Sequence, residues 1–157
     1  MNSIGHLLLF TLSDMHCALP LAEIERILRV VEINPIPKAP EILIGLINVQ
    51  GRIIPVLNLR RQFRLPASEV TLNDQLIIAR STNGSAALLV DNVIGVREYS
   101  EQEIIGGDEL FPGIESLEGV AKLKDGIIYI YHLDSLFSVE HATEIASFAA
   151  SDIQPSG

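Results

Sequence analysis

The chain has 157 residues, 48% hydrophobic and 20% charged, with a net charge of −9, which describes one ordinary globular domain or two very small packed ones. The acidity, the absence of tryptophan and an aromatic content of 5% exclude a general nucleic-acid binder, which needs a basic face or a stacking platform. No apolar run reaches the ~18 residues needed to span a bilayer, so no direct membrane insertion is expected, and the single cysteine, Cys17, leaves no disulfide and no CxxC metal pair.

Residues 4–12 read as a strand interrupted by His6 and carry neither the basic region nor the cleavage site of a signal peptide, so a cytoplasmic protein is the simplest reading. The turn SDMH leads into a second strand, and the proline-rich NPIPKAPEILIG (34–45) forms a longer connection. Residues 45–63, GLINVQGRIIPVLNLRRQF, read as a hairpin turning at QGR and closed by a short helix over 59–63. Pro55 cannot donate to a ladder, so its strand is predicted to be an edge or to bulge. Arg52, Arg60, Arg61 and Arg64 make this region locally basic. Strands over 75–80 and 86–90 flank STNGS, whose Asn-Gly pair is a strong hairpin signal. Glu98, Glu101, Glu103, Asp108, Glu109, Glu115 and Glu118 then run with no intervening cation. The hairpin over 119–137 turns at KDG, and residues 127–133 are apolar on both faces, as in a small closed sheet. A short helix over 133–139, an amphipathic helix over 140–150 and a disordered tail over 151–157 complete the prediction.

The chain also matches itself. Residues 45–63 align with 119–137 at an offset of 74, pairing Gly45 with Gly119, Ile53 and Ile54 with Ile127 and Ile128, Leu59 with Leu133 and Phe63 with Phe137. Upstream, 7–24 align with 76–93 at an offset of 69, pairing Ala18 and Leu19 with Ala87 and Leu88. Two collinear matches in the same order indicate a duplication, with copy one over about 7–63 and copy two over about 76–137. Each copy reads as a small antiparallel β-barrel of about five strands. Where the copies differ, at Pro55 against Tyr129, Asn58 against His132, and Arg60 and Arg61 against Asp134 and Ser135, side chains are free to acquire separate contacts.

Catalytic motifs are missing. His6, His16, His132 and His141 are scattered, and His132 reads as a core or barrel-end histidine within an apolar strand. His16 and Cys17 are adjacent strand residues that point to opposite faces, so they form no dyad. The sequence holds no GxSxG, no GxxxxGK[ST] and no GxGxxG after a strand, and the glycine-rich GGDELFPGIE (106–115) is too acidic for phosphate. No catalytic residue, metal ligand or cofactor is assigned. Binding by surface shape remains.

INVQGRIIPVLNLRR closely resembles the signature hairpin of the CheW family of chemotaxis coupling proteins, N-L-R-G-x-I-x-P-V-x-D-L-R. Asn48, Gly51, Ile53, Pro55, Val56, Leu59 and Arg60 stand at the matching positions. Similar blocks flank it: ALPLAEIERILR (18–29), DQLIIAR (74–80), ALLVDNVIGVRE (87–98) and LEGVAKLKDGIIYIYHLDSLF (117–137). The resemblance implies a mainly β fold of two intertwined five-stranded SH3-like barrels within one domain over 1–150. It implies an adaptor without catalysis, joining the cytoplasmic tips of methyl-accepting chemoreceptors to the regulatory domain of a CheA-type histidine kinase, in the cytoplasm at membrane-associated receptor arrays. By alignment it places Arg26, Ile27, Gln50, Gly51 and Arg52 in a receptor-facing groove. Arg60 and Arg61 open a short helix, where a structural pairing is favoured over partner contact. Two departures stand out: Gln50 replaces the family's arginine and Asn58 its aspartate. The alternatives are an accessory CheW-like array protein that does not activate the kinase, and a β-barrel sensory or ligand-binding module.

Overall fold

A computed structural model describes residues 4–82, 84–110, 117–123 and 126–136. The predicted C-terminal helix and tail, the end of the helix at 137–139, His141, Phe137 and the turn residues at 83 and 124–125 lie outside the described residues.

The chain runs β1 (Ile4–Leu12), β2 (Met15–Pro20), a 3-10 turn (Leu21–Glu23), β3 (Ile24–Arg29), β4 (Leu43–Val49), β5 (Arg52–Leu57) and helix α1 (Leu59–Gln62). It continues with β6 (Gln75–Ser81), β7 (Gly84–Val90), β8 (Asn92–Ser100), a 3-10 turn (Glu101–Glu103), β9 (Ile104–Gly106), α2 (Gly107–Leu110), β10 (Gly119–Leu123), β11 (Gly126–Ile130) and α3 (Leu133–Leu136). The fold is mainly β and comprises two sheets, ordered β8-β1-β2-β11-β10-β9 and β3-β6-β7-β5-β4. Three details differ from the sequence reading. The sheets have six and five strands, because β9 adds to β10; neither sheet closes on itself; and each contains one parallel seam.

The seams explain the arrangement. Substituting each copy-one strand by its copy-two equivalent converts β3-β6-β7-β5-β4 into β8-β1-β2-β11-β10. The first hairpin of each copy is therefore exchanged into the other copy's sheet, β1–β2 beside β11 and β6–β7 beside β5. Pairing registers repeat at the two offsets found in the sequence. Val56 faces Ala87 and Ile130 faces Ala18; Ile78 faces Arg26 and Leu9 faces Gly95. Even the bulges coincide, with Glu25 and Ile94 as the extra residues of β3 and β8.

Exchange buries both faces of the swapped hairpins. On β6, Leu76 and Ile78 pack with Ile47, Ile54, Val56 and Ala87 inside the five-stranded sheet, while Ile77 and Ala79 face the opposite way. On β1, Leu7 and Leu9 pack with Ala18, Tyr99, Ile128 and Ile130 inside the six-stranded sheet. Leu8, Phe10 and Leu12 join Leu19, Ile77, Leu88, Leu59 and Leu133 in a core shared by the two sheets. Each such leucine or isoleucine contributes about 1.5–3 kcal/mol on burial. Continuous apolar runs thus arise from two-sided burial in open, mixed sheets, not from barrel closure.

Gly45 and Gly119 show the same repetition at atomic scale. A Cβ on Gly45 would lie 2.4 Å from the Asn34 carbonyl oxygen, and one on Gly119 would lie 2.6 Å from that of Ile105. The chain passing over the outer edge of the hairpin, an Asn34–Leu46 bridge in one copy and β9 in the other, comes too close for any side chain. Pro55 is accommodated without an edge: β5 is interior, but its pairing to β7 covers only Val56 and Leu57, leaving Pro55 with no ladder bond to supply on that side.

Candidate docking site

One end of the five-stranded sheet is closed by charge. Arg52, Arg80 and Ser85 share the sheet face of Ile54, Ile78 and Ala87, so their side chains converge where the apolar filling stops. Glu25, the bulged residue of β3, bridges them. Arg52 grips its carboxylate through Nη1 at 2.9 Å and Nη2 at 3.3 Å, and Arg80 Nε donates to it at 3.0 Å. The Ser85 hydroxyl donates to Glu25 at 2.6 Å and accepts from Arg52 Nη2 at 2.6 Å. Glu25 is only 15% exposed against 53% for Arg52, so the carboxylate is the buried centre of the network. Hydrogen bonds from Arg52, then Ser85 and Arg80, hold its pKa down to about 2, and the same pairing raises that of Arg52. Four strands are tied together across the end of the sheet.

Beside this network, Ala22, Glu23, Ile24, Glu25, Arg26 and Arg80 line a shallow polar depression of about 390 Å³. Arg26 and Ile27 are exposed on β3, which ends the sheet, Ile27 at 39%. Gln50 and Gly51 form the tip of the β4–β5 hairpin with φ of 53° and 86°, a turn that Gly51 fits without strain, and the Asn48 side chain accepts from the Gly51 N–H at 2.8 Å. Of the residues predicted from the family alignment, Arg52 is brought to β3 through Glu25, while Gln50 and Gly51 stand exposed at the hairpin tip. Glu25, Arg80 and Ser85 were missed. Glu25 lies within a charged strand and the other two more than fifty residues away, so only the register shows that they meet.

The remaining signature residues divide by role. Val56 and Leu59 are buried, Pro55 is half-buried and Ile53 is 39% exposed. Arg60 donates to Asp91 and to Ser13 Oγ, tying α1 to the β1–β2 turn and to the residue between β7 and β8. At the equivalent place in copy two, Asp134 accepts from the Thr82 N–H and hydroxyl, both at 3.2 Å. The contact is retained while its polarity is inverted. Arg61 pairs with Glu41, so three of the four arginines of this segment are neutralised locally. Asn58 caps α1 by accepting from the Arg61 N–H at 3.1 Å, a task aspartate performs equally well.

The other polar groups of note, among the described residues, make local contacts. His132 lies after β11, not within the strand as predicted, and Glu23 takes up both its Nδ1 at 2.6 Å and the Leu133 N–H at 2.7 Å. Cys17 is buried in the shared core, and burial pushes its thiol up to about 12, so it remains a protonated packing residue. Among the described residues no cluster of three His, Cys, Asp or Glu is placed to hold a metal, and no helix is long and apolar enough to cross a membrane. The arrangement supports docking.

Comparison with known proteins gives a consistent answer. A family model described as CheW-like domain matches residues 6–141. A chemotaxis protein CheW of Treponema pallidum is 22% identical over 147 residues, covering 90% of this chain and 86% of that protein. The CheW of Thermotoga maritima is 32% identical over 95 residues, covering 60% and 62%. The crystal structure of the scaffolding protein TtCheW from Thermoanaerobacter tengcongensis superposes with a TM-score of 0.78 at 28% identity, covering 88% of this chain and 96% of that one.

Proposed function

The chain belongs to the CheW-like family, and from that premise we propose that it acts as a chemosensory scaffold, coupling chemoreceptors to a CheA-type histidine kinase without catalysing a reaction itself. The observation that carries this reading is the match along residues 6–141 to a family whose relatives are named chemotaxis proteins. Its place of action would be the cytoplasmic face of a receptor array. The receptor tip would meet Arg26 and Ile27 on β3 and Gln50, Gly51 and Arg52 at the neighbouring hairpin, and the kinase's regulatory domain would pack elsewhere on the sheets.

The charged network supports that assignment of the groove. A helical hairpin docking across β3 and the β4–β5 turn needs the two held in fixed relation, and the Glu25–Arg52 bridge links them. Gln50 stands exposed at the hairpin tip in place of the family's arginine, which favours a second reading: an accessory array protein that joins receptors without activating the kinase. Reconstitution with receptor and kinase separates the two. Entry into a ternary complex with stimulated autophosphorylation supports coupling, entry without stimulation supports the accessory role, and no complex removes both. In the same assay Gln50→Arg is expected to tighten receptor binding by about tenfold, the worth of one charge-assisted bond; unchanged affinity would remove Gln50 from the docking surface.

A further inference from the structure

We propose that two copies of this chain can complete each other's sheets, forming a domain-swapped dimer hinged between α1 and β6. The basis is the exchange of hairpins within one chain. Four strand pairings, β1–β8, β2–β11, β3–β6 and β5–β7, join residues before this segment to residues after it. Every one of them can form equally well between the first half of one copy and the second half of another. Neither half can satisfy a sheet by itself: β1–β2 lacks both its neighbours without β8 and β11, and β6–β7 lacks both without β3 and β5. A half released from its own partner half therefore presents strand edges whose complement is the other half of a second copy.

The hinge is lightly held. Residues 66–73 form no helix or strand and are all exposed, Leu72 at 89%. The backbone bonds at its ends are local, Leu65 N–H to Arg60 and Asp74 N–H to Thr71, and Val30 donates to Asp74 only where β6 begins. Beneath it lies an incompletely filled cavity of about 160 Å³, lined by Ile44, Leu59, Ala67, Val70 and Leu89 among others. Straightening the segment breaks none of the ladder, so monomer and swapped dimer differ mainly in loop entropy, which favours the monomer until chain concentration during folding rivals the millimolar effective concentration of the tethered half.

The swap reassigns the docking site. In the dimer, Glu25 and Arg52 come from one copy while Arg80 and Ser85 come from the other, so every network is built by two chains. Granted the scaffold reading, such a dimer would present two complete docking faces in one interlocked assembly and bridge partners that a monomer holds singly.

The test uses the full chain in two isotopic mass labels, both unmodified and with a protease recognition sequence replacing residues 68–72. The labelled chains are mixed, unfolded in guanidinium and refolded at micromolar and at millimolar concentration. The proposal expects a species of twice the monomer mass that increases with refolding concentration and survives dilution. Cleaving the linker should convert it to monomer-sized particles, half of which contain N-terminal and C-terminal pieces of different label. The unmodified chain must give the same dimer fraction, which guards against a linker variant that folds poorly. Monomer at every concentration, or a dimer that cleavage leaves intact and unmixed, overturns the proposal. Only masses are read, so either result leaves the assignment as a receptor–kinase scaffold to its own assay.

Discussion

The two sheets end differently at equivalent places. In the five-stranded sheet the end is sealed by Glu25, Arg80, Ser85 and Arg52; in the six-stranded sheet the same offsets put Ile94, Thr11, His16 and Gly126 there. The contrast lies at the bulge, where Ile94 is 51% exposed and Glu25 is a paired carboxylate; the exposed Val96 and Ile127 have apolar counterparts in Ile27 and Ile53, each 39% exposed. The bulges and the strand registers are the same, so the difference at these positions lies in the side chains. Packing positions keep their residue type between the two halves, while several outward-facing positions differ. The five-stranded end carries a charged network at its bulge, and the six-stranded end carries an exposed isoleucine at the same place.

The preserved part should respond identically in both copies. Leu59 and Leu133 are the first residues of α1 and α3 and are 1% and 0% exposed in one shared core. Truncating either to alanine should cost about 2–5 kcal/mol, read by urea unfolding, and the two costs should agree within about 1 kcal/mol. A large disagreement would mean that one copy carries the fold and the other leans on it. Gly45→Ala and Gly119→Ala should follow at about 1–3 kcal/mol each, since each new methyl collides with backbone that cannot rotate away. Because ΔΔG of 1 kcal/mol shifts Tm by roughly 2–4 °C at this size, both are visible in a thermal melt.

These repeated features are also what the sequence makes legible. Offsets of 69 and 74 recover the hairpins, the helix starts and the glycine pair, because core positions keep their residue type. Strand exchange is invisible to them, since a register between copies leaves no mark within either copy. The charged β3, IERILR, carries no clean alternation because Glu25 is a bulge, and a bulge shifts the period by one. Ser85 and Arg80 read as ordinary surface residues until β6 and β7 are laid beside β3 and β5. Conversely, Pro55 suggests an edge strand because sequence cannot show that a neighbouring strand pairs with only two residues of β5.

The divergent part should respond differently in the two copies. Glu25→Gln strands Arg52 and Arg80 without their carboxylate and unties β3 from the β4–β5 hairpin, so receptor binding in the reconstituted complex should weaken about tenfold. Ile94→Gln, at the equivalent bulge, should leave receptor affinity unchanged, with folding stability within about 0.5 kcal/mol of the parent. Equal effects of both variants on receptor affinity would erase the contrast between the two ends.

The smallest effect isolates the network from everything else that titrates. Hydrogen bonds from Arg52 and Ser85 lower the folded pKa of Glu25 from 4.5 to about 2, so the folded state binds its proton less readily than the unfolded state. A lowered pKa stabilises the fold wherever the carboxylate is ionised in both states, above about 4.5, and the contribution fades as pH falls through about 2. Glu25→Gln removes that titration while leaving the many exposed carboxylates in place. The stability gap between parent and variant should therefore be constant near neutrality and shrink steadily across the acid window, followed by urea unfolding at a series of pH values. A gap that stays constant down to the lowest pH would show that Glu25 works through hydrogen bonding by shape alone, and the contrast with Ile94 would then be one of size and polarity, without ionic content.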